Sequence, residues 1–170
     1  MPRRDGMIQI CSKWQVSLGL ALNSAWTMPD PALMRWISPG RMVPPPPVES
    51  PAAPKAIGPY SQAIKSGNLV FVSGSLPFDP EGKIDYSQRD ITAQTQRAID
   101  NIALTLKAAN LTLDDVVSAT VYITDIDDFA AVNKVYASYF HAPYPARAFV
   151  QVAKLLRGAK VEISVIATTH

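Results

Sequence analysis

Prolines crowd one short stretch of this chain. Four consecutive prolines occupy 44–47, and two more follow at Pro51 and Pro54. Proline fixes φ and lacks a backbone N–H, so no helix or central strand can continue through such a stretch, which favours an extended linker instead. We therefore predict an N-terminal extension over 1–53 and one folded domain over 54–170.

The composition changes at the same place. All three tryptophans, all five methionines and the only cysteine lie in 1–54, together with five basic and three acidic residues. The remainder, 55–170, carries eleven basic and eleven acidic residues, so the domain is neutral and lacks the basic surface that nucleic-acid binding requires. A single cysteine excludes an internal disulfide. No apolar run reaches the roughly 18 residues that a membrane-spanning helix needs, which excludes a membrane protein.

The extension over 1–53 is open to several interpretations. Basic residues at Arg3, Arg4 and Lys13 precede a short apolar run over 16–22, a pattern that loosely matches a secretory signal. The same residues fit an amphipathic mitochondrial presequence. A third interpretation is a disordered tail, or a wrongly assigned start upstream of the domain. We accordingly expect the domain to act in the cytoplasm or the mitochondrion.

Hydrophobic periodicity predicts the element order β-β-α-β-α-β-β. Short β-branched and aromatic runs, or alternating ones, predict strands, and three- and four-residue apolar spacing predicts helices. The predicted strands are 60–64, 69–72, 116–124, 146–153 and 160–168, and the predicted helices are 87–110, with Ser87 as N-cap, and 127–140. This order favours an α+β fold with one sheet and two helices on one of its faces.

The last three predicted strands each have one clean apolar face, which we expect to lie under the helices. These faces are Val117, Ala119, Val121 and Ile123; Ala146, Ala148, Val150 and Val152; and Val161, Ile163, Val165 and Ala167. The opposite faces are mixed: Ser118, Thr120 and Tyr122; Arg147, Phe149 and Gln151; and Glu162, Ser164 and Ile166. Because uncovered apolar patches usually mark interfaces, we predict a homo-oligomer with the mixed face turned inward.

Arg147 and Glu162 are the only charges in the middle of these strands. Burying a charge is costly unless it is paired or used. One interpretation is a salt bridge between adjacent strands. The other is functional: Arg147 binds a substrate carboxylate and Glu162 acts on a proton or a water. The two interpretations can coexist, and a nearby Arg147 would favour the ionised form of Glu162.

Several short motifs together resemble the RidA/YjgF family of reactive enamine/imine intermediate deaminases. The motifs are PAR at 145–147, VEI at 161–163, AIGPYSQA at 56–63, VSG at 72–74 and DFAAVN at 128–133. They occur in order and cover about 54–168, which leaves the extension outside the resemblance.

The resemblance implies a chorismate-mutase-like subunit with one mixed sheet, assembled as a homotrimer with sites between subunits. The implied activity is hydrolysis of 2-iminobutanoate and 2-iminopropanoate to 2-oxo acids and ammonia, which limits damage from intermediates released by pyridoxal-phosphate enzymes. The implied partner is a small imino acid, and the resemblance implies no metal or organic cofactor. RNA cleavage or translation inhibition is sometimes attached to the family, but the neutral domain argues against a nucleic-acid partner. The lack of a long apolar run argues against a membrane partner. An alternative is a non-catalytic trimeric module that binds small carboxylates or proteins.

By position, the resemblance assigns the chemistry to two residues. Arg147 would hold the substrate carboxylate, and Glu162 would orient and polarise the attacking water. Phe149 stands where many relatives carry cysteine, so its bulk could narrow the substrate pocket. The stretch between Asn133 and Arg147 is also short, which could change the rim of the cleft.

Four further residues would bind the substrate. Tyr60 and Asn133 would line the cleft, and Ser73 and Gly74 would let backbone groups approach the substrate. Each has a structural alternative: a packing aromatic for Tyr60, a bond to neighbouring backbone for Asn133, and a plain turn for Ser73 and Gly74.

Overall fold

The computed structural model describes residues 45–84 and 90–170. The predicted extension up to residue 44 and the predicted N-cap Ser87 lie outside the described residues. Within the described ranges the chain forms six strands and two helices. The strands are β1 (Pro47–Val48), β2 (Ala63–Ser66), β3 (Leu69–Ser75), β4 (Val116–Ile123), β5 (Ala146–Gln151) and β6 (Val161–Thr168), and the helices are α1 (Ile91–Ala108) and α2 (Phe129–Tyr139).

The strands form one mixed sheet in the order β1-β2-β3-β6-β4-β5. All pairs are antiparallel except β4 and β5, which run parallel. Helix α1 packs over β3 and β6 and contacts α2, so both helices cover the same face. The predicted α+β class with two helices on one face is therefore confirmed.

The core lies between the helices and this covered face of the sheet. Alternate residues of β6 are buried, as period-2 geometry requires of a strand with one covered face. The largest fully buried side chains are Ile99, Ile102, Leu106, Val121, Ile123, Val132, Val161 and Ile163, together with Val70. We call the other side of the sheet the open face.

The folded domain begins upstream of the predicted boundary at residue 54. β1 pairs antiparallel with β2 at the edge of the sheet, where Pro47 does not interrupt an interior hydrogen-bond ladder. Beyond β1, the Gln62 side chain accepts a hydrogen bond from Ser50 N at 2.6 Å and donates to Pro54 O at 2.8 Å. These bonds, with the burial of Ser50 and Ala53, make this part of the proline-rich stretch integral to the domain.

β2 starts later than the sequence predicts. The predicted strand over 60–64 is wrong at its start, because β2 spans Ala63–Ser66 and pairs Ala63 with Val72. Tyr60 instead lies in the preceding turn, where its N–H donates to Gly58 O at 2.8 Å. That turn leaves the Tyr60 side chain about half exposed.

A bulge reverses the predicted face at the start of β4. The pairing with β6 shifts register between Val116 and Ser118, and the extra residue breaks the alternation. Val116 is therefore buried, while Val117, which the sequence assigns to the helix-covered face, is exposed. The rest of β4 keeps the predicted phase, with Ala119, Val121 and Ile123 buried.

The predicted phase of β5 is wrong. In the parallel pairing, Ala119 lies opposite Arg147 and Val121 opposite Phe149, so these two β5 residues share the helix-covered face. Ala146, Ala148 and Val150 lie on the open face and are exposed, although their clean apolar alternation predicts burial. β5 is an edge strand with little helix above it, so apolar alternation there does not reveal which face is covered.

Candidate active site

Glu162 occupies the open face in the middle of the sheet. Its neighbours in β6, Val161 and Ile163, are fully buried on the other face, which directs the carboxyl to the open side. There it lines an open cleft of about 330 Å³, whose other lining residues are Gly74, Tyr122, Val152, Lys154, Leu155 and Ser164. Burial raises the pKa of Glu162 above its ordinary value of 4.5, so the carboxyl can exchange a proton closer to neutral pH.

Gly74 leaves room for this carboxyl. A Cβ at residue 74 would overlap the Oε1 of Glu162 and would lie 2.8 Å from its Cδ. Because Gly74 does not have a positive φ, its requirement for glycine comes from this close approach and not from backbone strain. The glycine therefore lets the β3 backbone and the carboxyl of β6 border the same cleft.

Gly74→Ala is expected to move the Glu162 carboxyl without unfolding the domain. The overlapping atoms are the far end of a flexible side chain, which can rotate away. The sequence predicts that Glu162 orients and polarises the attacking water, and displacing such a group by an ångström lowers rates by up to about 100-fold. We therefore expect the rate of imine hydrolysis to fall roughly 10- to 100-fold, with little change in melting temperature. Catalytic rate and thermal unfolding of the purified variant measure both.

Gly67→Ala provides the opposite control. Gly67 has a φ of 61°, and no atom lies within 4 Å of the place where an alanine Cβ would stand. Alanine there costs about 1 kcal/mol of stability while leaving the cleft unchanged. Full activity in Gly74→Ala would contradict the role given to the close approach.

Ser73 and Tyr60 lie beside Gly74. The Ser73 hydroxyl donates to Ser61 O at 2.7 Å, and its N–H donates to Gln62 O at 3.0 Å. Tyr60, Ser73 and Gly74 line a second, smaller concavity that meets the cleft at Gly74. The Tyr60 hydroxyl also accepts a hydrogen bond from Ile57 N at 3.3 Å, and its role toward a substrate stays a prediction. We call Tyr60, Ser73, Gly74 and Glu162 the glutamate half.

Arg147 lies on the opposite face of the sheet. Its Cζ lies 4.7 Å from the ring centroid of Tyr136 and 5.4 Å from that of Phe149. Arg147 is exposed at the edge of the sheet, and its guanidinium makes no hydrogen bond or salt bridge to the described part of the chain. Its N–H donors are therefore available to an anion, and a planar fork suits a carboxylate best.

Phe149 and Asn133 accompany Arg147. The Phe149 ring meets Phe129 of α2 edge-on, with centroids 4.8 Å apart. Asn133 follows Phe129 by four residues and precedes Tyr136 by three, so helical spacing places it on the same face of α2. Both flanking aromatics contact β5 residues, which orients this face toward β5. We call Asn133, Arg147 and Phe149 the arginine half.

The structure separates the two residues that the sequence places side by side. β4 lies between β5 and β6, and Arg147 and Glu162 project from opposite faces of the sheet. The predicted salt bridge between adjacent strands is therefore wrong. Arg147 also does not act on the carboxyl of Glu162 within one protomer, where burial alone sets the direction of the pKa shift.

Two residues of the site region are missing from the sequence-based set. Tyr136 contributes to the sequence pattern only as one of the apolar residues of the predicted helix over 127–140, yet its ring contacts the guanidinium of Arg147. Gln62 holds the chain around Tyr60 through its bonds to Ser50 and Pro54. Helical spacing from Phe129 could have indicated Tyr136, but only with the correct phase of β5.

Within 45–84 and 90–170, no three His, Cys, Asp or Glu side chains form a group that could hold a metal ion. In the same ranges no helix is long and apolar enough to cross a membrane. The predicted absence of a cofactor stays a prediction.

These features define a two-layer α+β protomer whose polar site residues form two separate halves. A family model described as Endoribonuclease L-PSP matches residues 50–169. The chain belongs to this family, the RidA/YjgF family, and the resemblance found in the sequence is confirmed.

Named relatives carry different functional descriptions. Protein DfrA of Myxococcus xanthus is 47% identical over 124 residues, which cover 72% of this chain and 94% of that protein. The 2-iminobutanoate/2-iminopropanoate deaminase of Escherichia coli is 41% identical over 118 residues, covering 68% and 91%. The crystal structure of E. coli TdcF with bound serine is similar at a TM-score of 0.69 and 40% identity, covering 74% of this chain and 99% of that one.

Proposed function

We propose that this protein hydrolyses small 2-imino acids, with 2-iminobutanoate and 2-iminopropanoate as substrates, to 2-oxo acids and ammonia. The observation that carries the proposal is the pair of groups this reaction needs: an arginine without an acidic partner in the described residues, and a partly buried carboxyl beside an open cleft. A relative at 41% identity bears the name of this deaminase, which supports the substrate class.

The chemistry requires little from the protein. Water adds to the electrophilic carbon of the protonated imine, and the resulting carbinolamine expels ammonia to give the 2-oxo acid. Arg147 fixes the substrate carboxylate, and Glu162 accepts a proton from the attacking water and returns it to the departing nitrogen. As the C–N bond breaks and ammonia leaves, the carboxylate of Glu162 accepts the hydroxyl proton and the carbonyl forms. A pKa raised by burial suits Glu162 to this exchange, because a proton carrier works best near the operating pH.

One protomer cannot present both halves to one small substrate. The sheet separates Arg147 from Glu162, so a shared site requires the arginine half of one copy to approach the glutamate half of another. The open face supports such an assembly, since Phe71, Val117 and Val150 are each more than 40% exposed there. An exposed apolar surface of this kind is typical of an interface, and a homotrimer with three shared sites is the assembly we propose.

The assembly predicts that two inactive variants restore each other. If each site takes Arg147 from one copy and Glu162 from another, trimers refolded from equal amounts of Arg147→Ala and Glu162→Gln chains regain about a quarter of the wild-type sites by random mixing. Activity of the mixture, compared with each variant refolded alone, measures this. No gain in trimers shown to contain both chains would contradict shared sites.

The activity itself is tested with the full chain and an imine generated in place. A dehydratase releases 2-iminobutanoate, and formation of 2-oxobutanoate is followed with and without this protein. We expect release well above the uncatalysed rate. Release at the uncatalysed rate, at protein concentrations where oxo acids bind, would overturn the proposal.

A carboxylate-binding module without turnover is the second candidate. The observation that favours it is the solved relative with bound serine, a ligand that carries a carboxylate. Binding of 2-oxobutanoate that depends on Arg147, without hydrolysis, would support it. The neutral charge of 55–170 argues against the RNA cleavage that the family description names. Incubating RNA with the same protein preparation and looking for cleavage products tests this.

A further inference from the structure

Arg147 lies against two aromatic rings and no acid. Its Cζ lies over the Tyr136 ring at 4.7 Å from the centroid and over the Phe149 ring at 5.4 Å. Both distances fall within the range of about 6 Å over which a ring attracts a cation. Two rings from different elements, α2 and β5, thus hold one guanidinium.

Both rings are themselves fixed by other rings. Tyr136 is 4% exposed and stacks on Phe140 with centroids 4.3 Å apart and an angle of 22° between planes. Phe149 is held by its edge contact with Phe129 at 78°. The positive charge of Arg147 acts to lower the pKa of Tyr136 against the larger effect of burial, which agrees with their proximity.

We propose that Tyr136 and Phe149 are positioning residues that hold the guanidinium of Arg147 ready for a substrate carboxylate. The inference deepens the proposed function and rests on it. A ring attracts the cation through its negative face, whereas a carboxylate would occupy the in-plane N–H donors. Aromatic support therefore orders a long side chain before binding and leaves its fork free, which reduces the entropy lost when the anion binds.

Aromatic rings, unlike an acidic side chain, can hold Arg147 without competing with the substrate carboxylate. An arginine held by an acid would have to exchange that acid for the substrate. Here the described residues offer no such competitor, and the two rings remain in place when the carboxylate arrives. The planar guanidinium, positioned by Tyr136 of α2 and Phe149 of β5, then presents its paired N–H donors to a carboxylate.

The test replaces the Phe149 ring and measures carboxylate affinity. Phe149→Leu keeps an apolar side chain but removes the ring face, and Phe149→Tyr restores it. We expect the Kd of 2-oxobutanoate, measured by calorimetry on the assembled protein, to rise roughly two- to fivefold in Phe149→Leu and to return toward the wild-type value in Phe149→Tyr. The KM for the imine should rise by the same factor while kcat is largely retained.

A spectroscopic signature separates positioning from packing. The Nε–H resonance of Arg147, identified by its absence in Arg147→Ala, should be displaced by the ring currents of Tyr136 and Phe149 in protein without ligand. The displacement should shrink in Phe149→Leu and recover in Phe149→Tyr. Phe149→Met serves in the same way if the leucine variant does not assemble.

Tyr144→Leu is the matched control. Tyr144 is an exposed aromatic just before β5 and has no ring contact with Arg147 among the described residues, so its replacement should leave Kd unchanged. An unchanged Kd in Phe149→Leu, an equal loss in Tyr144→Leu, or a wild type that binds no 2-oxobutanoate would each overturn the proposal. Ring-dependent carboxylate binding without imine hydrolysis would support the positioning of Arg147 by Tyr136 and Phe149 and would refute only the proposed function.

Discussion

Arg147→Ala is expected to lower kcat/KM for 2-iminobutanoate by roughly 100- to 1,000-fold. The substrate carboxylate would lose a charge-assisted, two-pronged partner, and truncating one side of such a pair costs about 2–5 kcal/mol. The fold should tolerate the change, because Arg147 is exposed and has no salt bridge in the described residues. Steady-state kinetics of the dehydratase-coupled reaction, with a melting curve for each variant, measure both expectations.

Two further variants show whether the loss comes from the fork or from charge in general. Arg147→Lys keeps the positive charge without the planar fork and should recover only part of the activity. Arg97→Ala is the matched control, since Arg97 is an exposed arginine of α1 that lines neither the Glu162 cleft nor the concavity at Tyr60. An Arg147→Ala enzyme with wild-type kcat/KM would remove the carboxylate role from this residue.

Glu162→Gln is expected to reduce kcat by roughly 100-fold while leaving the protein at least as stable at neutral pH. The amide fills the same volume but cannot carry the proton between water and nitrogen. The wild-type kcat/KM should fall on the acid side as the carboxyl becomes protonated, and burial, which raises the pKa of Glu162, moves this fall toward higher pH. The glutamine variant should lack that acid limb.

The pH dependence of stability gives an independent measure of the same carboxyl. Since its pKa is raised by folding, the folded state holds the proton more tightly than the unfolded state, so the contribution of Glu162 is most favourable at low pH and declines as pH rises from about 4.5 through the folded pKa. Melting temperatures of wild type and Glu162→Gln from pH 4 to 8 should diverge in favour of the variant.

The guanidinium of a neighbouring copy would oppose this shift. The Arg147→Ala background, in which only burial acts on Glu162, should therefore show the largest divergence. A glutamine variant that retains full kcat, or that melts earlier at every pH, would instead indicate a structural role for Glu162.

The strongly patterned parts of the fold were predictable from the sequence. β4 and β6 each have a buried and an open side, and their alternation predicts Glu162 on the open face, where it lies. The helices α1 and α2 follow from apolar spacing, although both are shorter than predicted at each end. Such elements are predictable because one of their faces is covered along its whole length.

β5 was predictable as a strand but not in its phase. Small apolar residues at 146, 148 and 150 suggest a covered face, yet an edge strand receives its covering from neighbours that the pattern of one strand does not describe. The register of β5 with β4 and the contact of Phe149 with Phe129 determine which face of β5 the helices cover. The motifs select Arg147 and Glu162 as candidates, whereas the separation of the two residues follows only from the sheet order and the covered face of β5.

The hydrogen bonds between Gln62 and the proline-rich stretch limit where this chain can be shortened. Its side-chain amide bridges Ser50 and Pro54, and β1 lies directly upstream. A proteolytic cut just after residue 54 would remove the edge strand β1 and the hydrogen-bond partners that Ser50 and Pro54 give to the partly buried Gln62 amide. Cleavage that preserves β1 must fall before Pro47, and the same limit applies to an expression boundary.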